Sequence, residues 1–234
     1  MIRYAITSVH QLELTSRCNL RCRYCPSPKL PRAKMDMSDE VFAKCIGWAK
    51  RFVDAGTQHE LNLAGIGEST MHPKFAEYVL IARLTLGPSV ALTMATNGLL
   101  ITDDLVREIA PAKPMIWVSM HRPEKAGPAI EILRKYGLLS GVSADPSIAA
   151  IDWAGQVDWF VSTTTKGSPC PWVRGGRVFV MADGRISACC LDADGSGVIG
   201  TIHDDLTRLG TRPYKLCAGC HHDVGVPLEQ EVAA

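Results

Sequence analysis

Val9-His10-Gln11-Leu12-Glu13-Leu14, running on through Thr15-Ser16-Arg17 into Cys18-Asn19-Leu20-Arg21-Cys22-Arg23-Tyr24-Cys25, is the stretch on which the architecture turns. Val9 to Leu14 is a short apolar run that reads as a first strand, and a loop with three cysteines follows it directly. Three thiolates can hold three corners of a four-iron cube and leave the fourth iron without a protein ligand. Purely electron-carrying clusters usually take four cysteines, so an open corner implies that something else binds there. The competing reading of these residues is a zinc or ordinary iron–sulfur site completed by a distant fourth ligand.

Outward from this strand, short apolar runs alternate with helical patterns as far as about residue 165, the signature of βαβ units and a parallel sheet. Ser38 caps a helix that runs to Ala55 and ends at Gly56. Glu60 to Ala64 reads as the second strand and Pro73 opens the next helix, which runs to Leu86. Strands are expected at Ser89 to Ala95, Met115 to Met120, Leu138 to Ala144 and Trp159 to Thr163. Between them, helices are expected at Asp103 to Ala110, Glu124 to Tyr136 and Ser147 to Ala154. Six such units make a partial (β/α)6 barrel, smaller than the eight-unit form of about 250 residues.

Chemistry in parallel α/β architectures collects in the loops after the strands' carboxyl ends. The cysteine loop, Gly65-Ile66-Gly67-Glu68-Ser69, Thr96-Asn97-Gly98, Ser119 and His121-Arg122-Pro123 all fall there, and Asp145 follows the fifth strand. Each has a plainer reading. Asn-Gly is a good turn, Glu68 could be a surface carboxylate, and His121, Arg122 or Asp145 could cap a helix.

After about residue 166 the composition changes. Gly167-Ser168-Pro169-Cys170-Pro171 is turn chemistry, and Arg177 to Met181 with Ile186 to Cys189 reads as a β-hairpin around Asp183-Gly184. A Gly-rich loop at 195–200, a short helix near 204–209 and Cys217-Ala218-Gly219-Cys220 follow. The expected division is 1–166 for the barrel and 167–234 for a small C-terminal extension.

The 234 residues are 47% hydrophobic and 21% charged, ordinary for one globular unit with a small appendage. A net charge of +1 gives no basic stripe to track nucleic acid, and favours a small uncharged or zwitterionic substrate. No segment reaches the roughly 20 apolar residues of a membrane span, and no secretory leader is visible. The expectation is a cytoplasmic protein. There, the nine cysteines are better metal ligands than disulfides.

The cysteine spacing, with aromatic Tyr24 before the last thiol, resembles the signature of the radical S-adenosylmethionine (radical SAM) enzymes. In that family the vacant iron is chelated by the amino and carboxylate groups of SAM. The resemblance implies Tyr24 near the adenine. It implies Gly65, Ile66, Gly67 and Glu68 as the element that meets the SAM amine, with Ile66 where the family has a glycine. Asn97 and Ser119 would touch the ribose or carboxylate. The C-terminal cysteines resemble the auxiliary-cluster extensions called SPASM or twitch domains. They imply a second [4Fe–4S] cluster on Cys170, Cys189, Cys217 and Cys220, with Cys190 as the alternative to Cys189. A structural zinc site using Cys217, Cys220 and His221 or His222 is the other reading of this set. Cys45, in an apolar helical stripe, is most simply a core residue.

Taken together, these features are similar to radical SAM dehydrogenases that oxidise a secondary alcohol of an aminocyclitol. The implied reaction cleaves SAM reductively to a 5′-deoxyadenosyl radical, which takes hydrogen from a small-molecule substrate. The auxiliary cluster would accept the second electron, and His121, Arg122 or Asp145 the proton. A reductant such as flavodoxin or ferredoxin is implied. The alternatives are a peptide maturase, an epimerase using Cys190 or Cys45 as hydrogen donor, and a zinc or electron-transfer module with no substrate.

Overall fold

The computed structural model of the chain describes residues 3–143, 153–157 and 169–223. In chain order the elements are β1 (Tyr4–Ala5), β2 (Ser8–Leu12), α1 (Asp39–Asp54), β3 (Glu60–Asn62), α2 (Phe75–Leu86), β4 (Ala91–Thr96) and α3 (Asp103–Ile109). They continue with β5 (Met115–Ser119), α4 (Pro123–Lys135), β6 (Leu139–Ser143), β7 (Arg177–Val180), β8 (Arg185–Ser187), β9 (Val198–Thr201) and β10 (Gly210–Thr211).

Local chemistry sets most boundaries. Ser38 Oγ accepts from Val41 N at 3.3 Å and starts α1, and Gly56, at φ 72°, stops it. Thr102 caps α3 in the same way, accepting from Leu105 N at 3.2 Å. Pro123 occupies the first turn of α4, where its missing N–H is harmless. The second strand ends two residues before the sequence suggests, because Asn62 Oδ1 takes the Ala64 N–H at 2.9 Å and turns the chain.

Eight strands form one sheet in the order β6-β5-β4-β3-β2-β7-β8-β9. From β2 to β6 all neighbours are parallel, with helices between successive strands, as the partial α/β barrel requires. Leu61, Leu92, Met94, Ile116 and Val118 point to the helix side and are buried. Helix α1 adds Phe42, Cys45, Ile46 and Ala49, and Phe42 stacks on Tyr78 of α2 with ring centroids 3.8 Å apart. Cys45 is therefore a core residue. The expected sixth strand, Trp159 to Thr163, lies outside the described residues, as does the expected helix from Ser147 except for Trp153 and Ala154, which form a turn.

Two features were not visible in the sequence. Strand β7 lies parallel to β2, paired from Ser8↔Arg177 to Leu12↔Val180 with a one-residue bulge between Val9 and Gln11, on the side of β2 away from β3. The extension thus continues the barrel's own sheet. Val178, Val180, Ile186 and Ile202 share one apolar core with Leu12, Leu61 and Leu92. The second feature is β9. The glycine-rich stretch expected as a loop at 195–200 pairs antiparallel with β8 from Val198, because Gly197 lies flush on the Tyr214 ring and Gly200 on Leu209. In place of a helix near 204–209 there is one 3-10 turn, Leu206–Arg208, capped by Asp205. Among the described residues, no helix is long and apolar enough to cross a membrane.

Candidate active site

The loop after β2 is closed at its base. Arg17 grips Asp36 through Nε at 2.9 Å and a terminal nitrogen at 2.5 Å, Thr15 Oγ1 donates to the same carboxylate at 2.6 Å, and Met35 N donates to Ser16 Oγ at 2.8 Å. Cys18, Cys22 and Cys25 hang from this base. Cys25 N donates to Cys22 O at 3.2 Å and Leu20 N to Cys18 Sγ at 3.4 Å. Burial pushes the Cys18 thiol up, and the Cys25 thiol up to about 11. At neutral pH both are protonated in the metal-free protein, so metal uptake must expel protons.

The three cysteines form one end of a cavity of about 240 Å³. Tyr24, Gly65, Ile66, Gly67, Glu68, Asn97, Ser119 and His121 line the same cavity, together with Thr96 and Trp153. The topology explains the convergence. Parallel strands β2 to β5 all end on one rim, and each contributes its following loop. Residues scattered over a hundred positions are brought to one space.

The glycines at 65 and 67 have a packing reason. A Cβ at Gly65 would fall 2.5 Å from Glu13 Cβ, and one at Gly67 only 2.1 Å from Thr15 O. The loop must lie bare against the chain leading into the cysteines, and its backbone groups then face the cavity. Ile66, between the two glycines, is accommodated with its side chain buried.

Glu68 is buried and spent on the protein. Its Oε1 accepts from Thr70 Oγ1 and Thr96 Oγ1, each at 2.7 Å, and its Oε2 accepts from Asn97 N at 2.8 Å. It locks the loop after β3 to the loop after β4. Asn97, held in this way, donates from Nδ2 to Asn19 Oδ1 at 2.7 Å, which ties the Asn-Gly turn to the cysteine loop.

His121 Nδ1 lies 2.7 Å from Tyr24 Oη, with the two rings stacked at 5.6 Å between centroids. Arg122 stands apart. Its side chain is exposed, pairs with Glu124 at 2.6 Å and does not line the cavity. Asp145 lies outside the described residues. Trp153, which no sequence pattern marked, donates from Nε1 to Tyr24 O at 3.1 Å and lines the cavity.

A second group of thiols forms in the extension. Cys170 and Cys217 share a small apolar cluster with Val173, beside Tyr4, Trp172 and Tyr214. Burial lifts Cys217 to about 11, with Cys189, Cys170 and Cys220 close enough to add to the shift. Cys189 is raised by a hydrogen bond with Cys190 and by burial. The Tyr214 hydroxyl is buried against Cys189 and Ser187 without a hydrogen bond of normal geometry, and its phenol is pushed far up by burial. Among the described residues, no three Cys, His, Asp or Glu side chains close around a single metal ion.

Both sites fit thiolate-held iron–sulfur clusters. Ser27 Oγ, which lines the cavity beside Cys25, is buried with no partner among the described residues, as Tyr214 Oη is at the second group. One turn runs between the two groups. Ala154, next to Trp153, presses its carbonyl on Gly219, where a Cβ would come within 2.8 Å, and Gly219 adjoins Cys220.

Comparison with known proteins bears on the family and the fold. A family described as the Radical SAM superfamily matches residues 12–167. A tungsten-containing aldehyde ferredoxin oxidoreductase cofactor-modifying protein of Pyrococcus furiosus is 33% identical over 135 residues, 57% of this chain and 35% of the relative. The chain thus spans about a third of that relative's length. Among solved structures, BtrN in complex with AdoMet and 2-DOIA superposes with a TM-score of 0.70 at 16% identity, covering 88% of this chain and 85% of BtrN. The anSMEcpe structure with bound AdoMet gives a TM-score of 0.62 at 17% identity, covering 86% and 79%. At such identities these two show a shared fold.

Proposed function

The chain belongs to the Radical SAM superfamily, and from that membership we propose that it oxidises an alcohol of a small molecule to a carbonyl. The family works with a [4Fe–4S] cluster and SAM. Residues 1–166 would hold these, with Cys18, Cys22 and Cys25 as the cluster ligands. Tyr24, the backbone of Gly65 to Gly67, Asn97 and Ser119 would receive SAM, with Glu68 fixing their loops. Residues 167–234 would hold an auxiliary [4Fe–4S] cluster on Cys170, Cys189, Cys217 and Cys220. When bound, these groups supply hydrogen-atom abstraction at carbon and acceptance of one electron.

The residues of the chain supply the rest. An alcohol carbon that loses a hydrogen atom becomes a carbonyl by giving up one further electron and its hydroxyl proton. His121 is the base for that proton, since it lines the cavity while Arg122 turns to Glu124. Tyr24 holds the imidazole in place at 2.7 Å. Trp153 shields the reacting carbon from water. The observation that carries this reading is the Trp153–Ala154 turn, one residue of which lines the cavity while the next touches the loop of Cys220. A second electron acceptor linked to the cavity through this turn suits oxidation. BtrN, with AdoMet and 2-DOIA bound, supports a small substrate.

A second reading, favoured by the 33% identity to a cofactor-modifying protein, takes the substrate to be a cofactor precursor. Reduction would come from an acidic flavodoxin or ferredoxin. Anaerobic reconstitution should give about eight irons per chain, the content of two four-iron clusters. A candidate alcohol deuterated at its carbinol carbon should then pass label to 5′-deoxyadenosine and yield a carbonyl product. Label transfer with an inverted product, abolished by Cys190→Ala, would replace oxidation by epimerisation.

A further inference from the structure

Glu13, one residue beyond β2, has a fully buried side chain, and its partner Arg32 is only 6% exposed. The two terminal nitrogens of Arg32 donate to the two carboxylate oxygens at 2.8 and 2.7 Å, a planar fork. Glu13 Oε1 also accepts from Ile66 N at 3.2 Å, in the glycine loop of the cavity. Oε2 accepts from Ala182 N at 3.1 Å, at the tip of the β7–β8 hairpin. Arg32 Nε donates to Ala193 O at 2.7 Å. Ala182 and Ala193 bracket the segment that carries Cys189 and Cys190. One dry ion pair therefore joins the cysteine loop, the glycine loop and both ends of the auxiliary thiol segment.

Stability alone does not call for charges here. A buried ion pair is commonly no more stabilising than apolar residues of the same volume, because desolvation offsets the attraction. What a bidentate fork with three further backbone bonds does provide is fixed geometry. If Ala182 and Ala193 shift as Cys189 is drawn onto a cluster, the fork turns, and Ile66 turns with it.

We propose that Glu13 and Arg32 are positioning residues that couple the auxiliary thiol segment to the SAM-binding glycine loop, so that loading one site tightens binding at the other. The proposal rests on the two-cluster reading above. Because such coupling is reciprocal, SAM must also stabilise the auxiliary site.

The test uses the full reconstituted chain. SAM is titrated while the EPR spectrum of the reduced first cluster is followed, in the parent and in Arg32→Lys, each with and without Cys217→Ser/Cys220→Ser. In the parent, loss of the auxiliary ligands should weaken SAM at least tenfold. Arg32→Lys keeps the charge and loses the fork, so it should start at least tenfold weaker and lose less than twofold more. Equal SAM affinity in Arg32→Lys and parent, or the same loss in both backgrounds, overturns the proposal. Should Arg32→Lys not fold, Glu13→Leu/Arg32→Met carries the same comparison with an apolar pair. One measurement needs no variant at position 13 or 32. SAM should slow loss of auxiliary iron to a chelator at least threefold in the parent, and equal rates overturn the coupling. A parent whose first-cluster spectrum ignores SAM would instead sink the radical SAM site itself.

Discussion

Gly67 and Gly47 are the same residue in opposite surroundings, and they separate packing from propensity. A Cβ at Gly67 would stand 2.1 Å from Thr15 O and 2.5 Å from Arg17 O, so Gly67→Ala must push the glycine loop off the cysteine loop. The expected loss is about 1–3 kcal/mol, read as a lower thermal midpoint, together with loss of SAM binding. Nothing lies within 4 Å of a Cβ at Gly47 in α1, and Gly47→Ala should stabilise by about 0.5–1 kcal/mol with SAM binding unchanged. His121→Ala should lower turnover by about 10²–10⁴-fold while iron content and SAM binding persist, which kcat against SAM titration will show. At this scale the sequence exposed the chemistry-bearing residues and hid their partners. Glu68 was readable as part of the element that meets the SAM amine or as a surface carboxylate; it is buried, and accepts from the Thr70 and Thr96 hydroxyls and from Asn97 N, partners that no local pattern named. Arg122 was equal to His121 on paper. The side-chain directions at the start of α4 send it to Glu124 instead.

The loop from Arg17 to Met35, which carries Cys18, Cys22 and Cys25, contains no acid. Arg21, Arg23, Lys29 and Lys34 of this loop are exposed, and the charge of Lys34 acts on Cys18 and Cys25. Arg21→Glu/Arg23→Glu should slow reduction by an acidic flavodoxin and flatten its salt dependence, while leaving reduction by dithionite unchanged in stopped flow. The thiols themselves set a pH limit on the metal-free protein. Folding lifts Cys25 and Cys217 from the usual 9.0 to about 11. Below pH 9 both thiols are protonated in folded and unfolded chains alike, and this contribution is intact. Between about 9 and 11 the unfolded chain ionises first, so stability falls as pH rises. Urea midpoints of metal-free protein at pH 8 and 10.5 should show the drop, and reconstituted protein should resist it, because its thiolates are already held by metal. Element type was legible from period and caps, as at Ser38 and Thr102. Element ends were less so, because side chains such as Asn62 decide them locally.

At the scale of the molecule, the extension is part of the barrel's sheet rather than an attachment to it. Ending the chain at residue 168 would strip β7 from β2, expose the apolar residues of Val9 to Leu14 at an open edge and leave the Arg32 guanidinium without Ala193. Such a fragment should be insoluble or unfolded by circular dichroism; a folded fragment that binds SAM would contradict this. What the amino-acid sequence determined alone is the order of α and β units, the loops that follow strands, and the three-thiol motif, because periodicity, caps and ligand spacing are local. What only the tertiary structure decided is which distant residues share a space: β7 beside β2, Trp153 at the cavity, and Glu13 between two sites. Those contacts join positions as many as 169 residues apart, as from Ala182 to Glu13, and no local pattern encodes which of many apolar edges or buried carboxylates will meet.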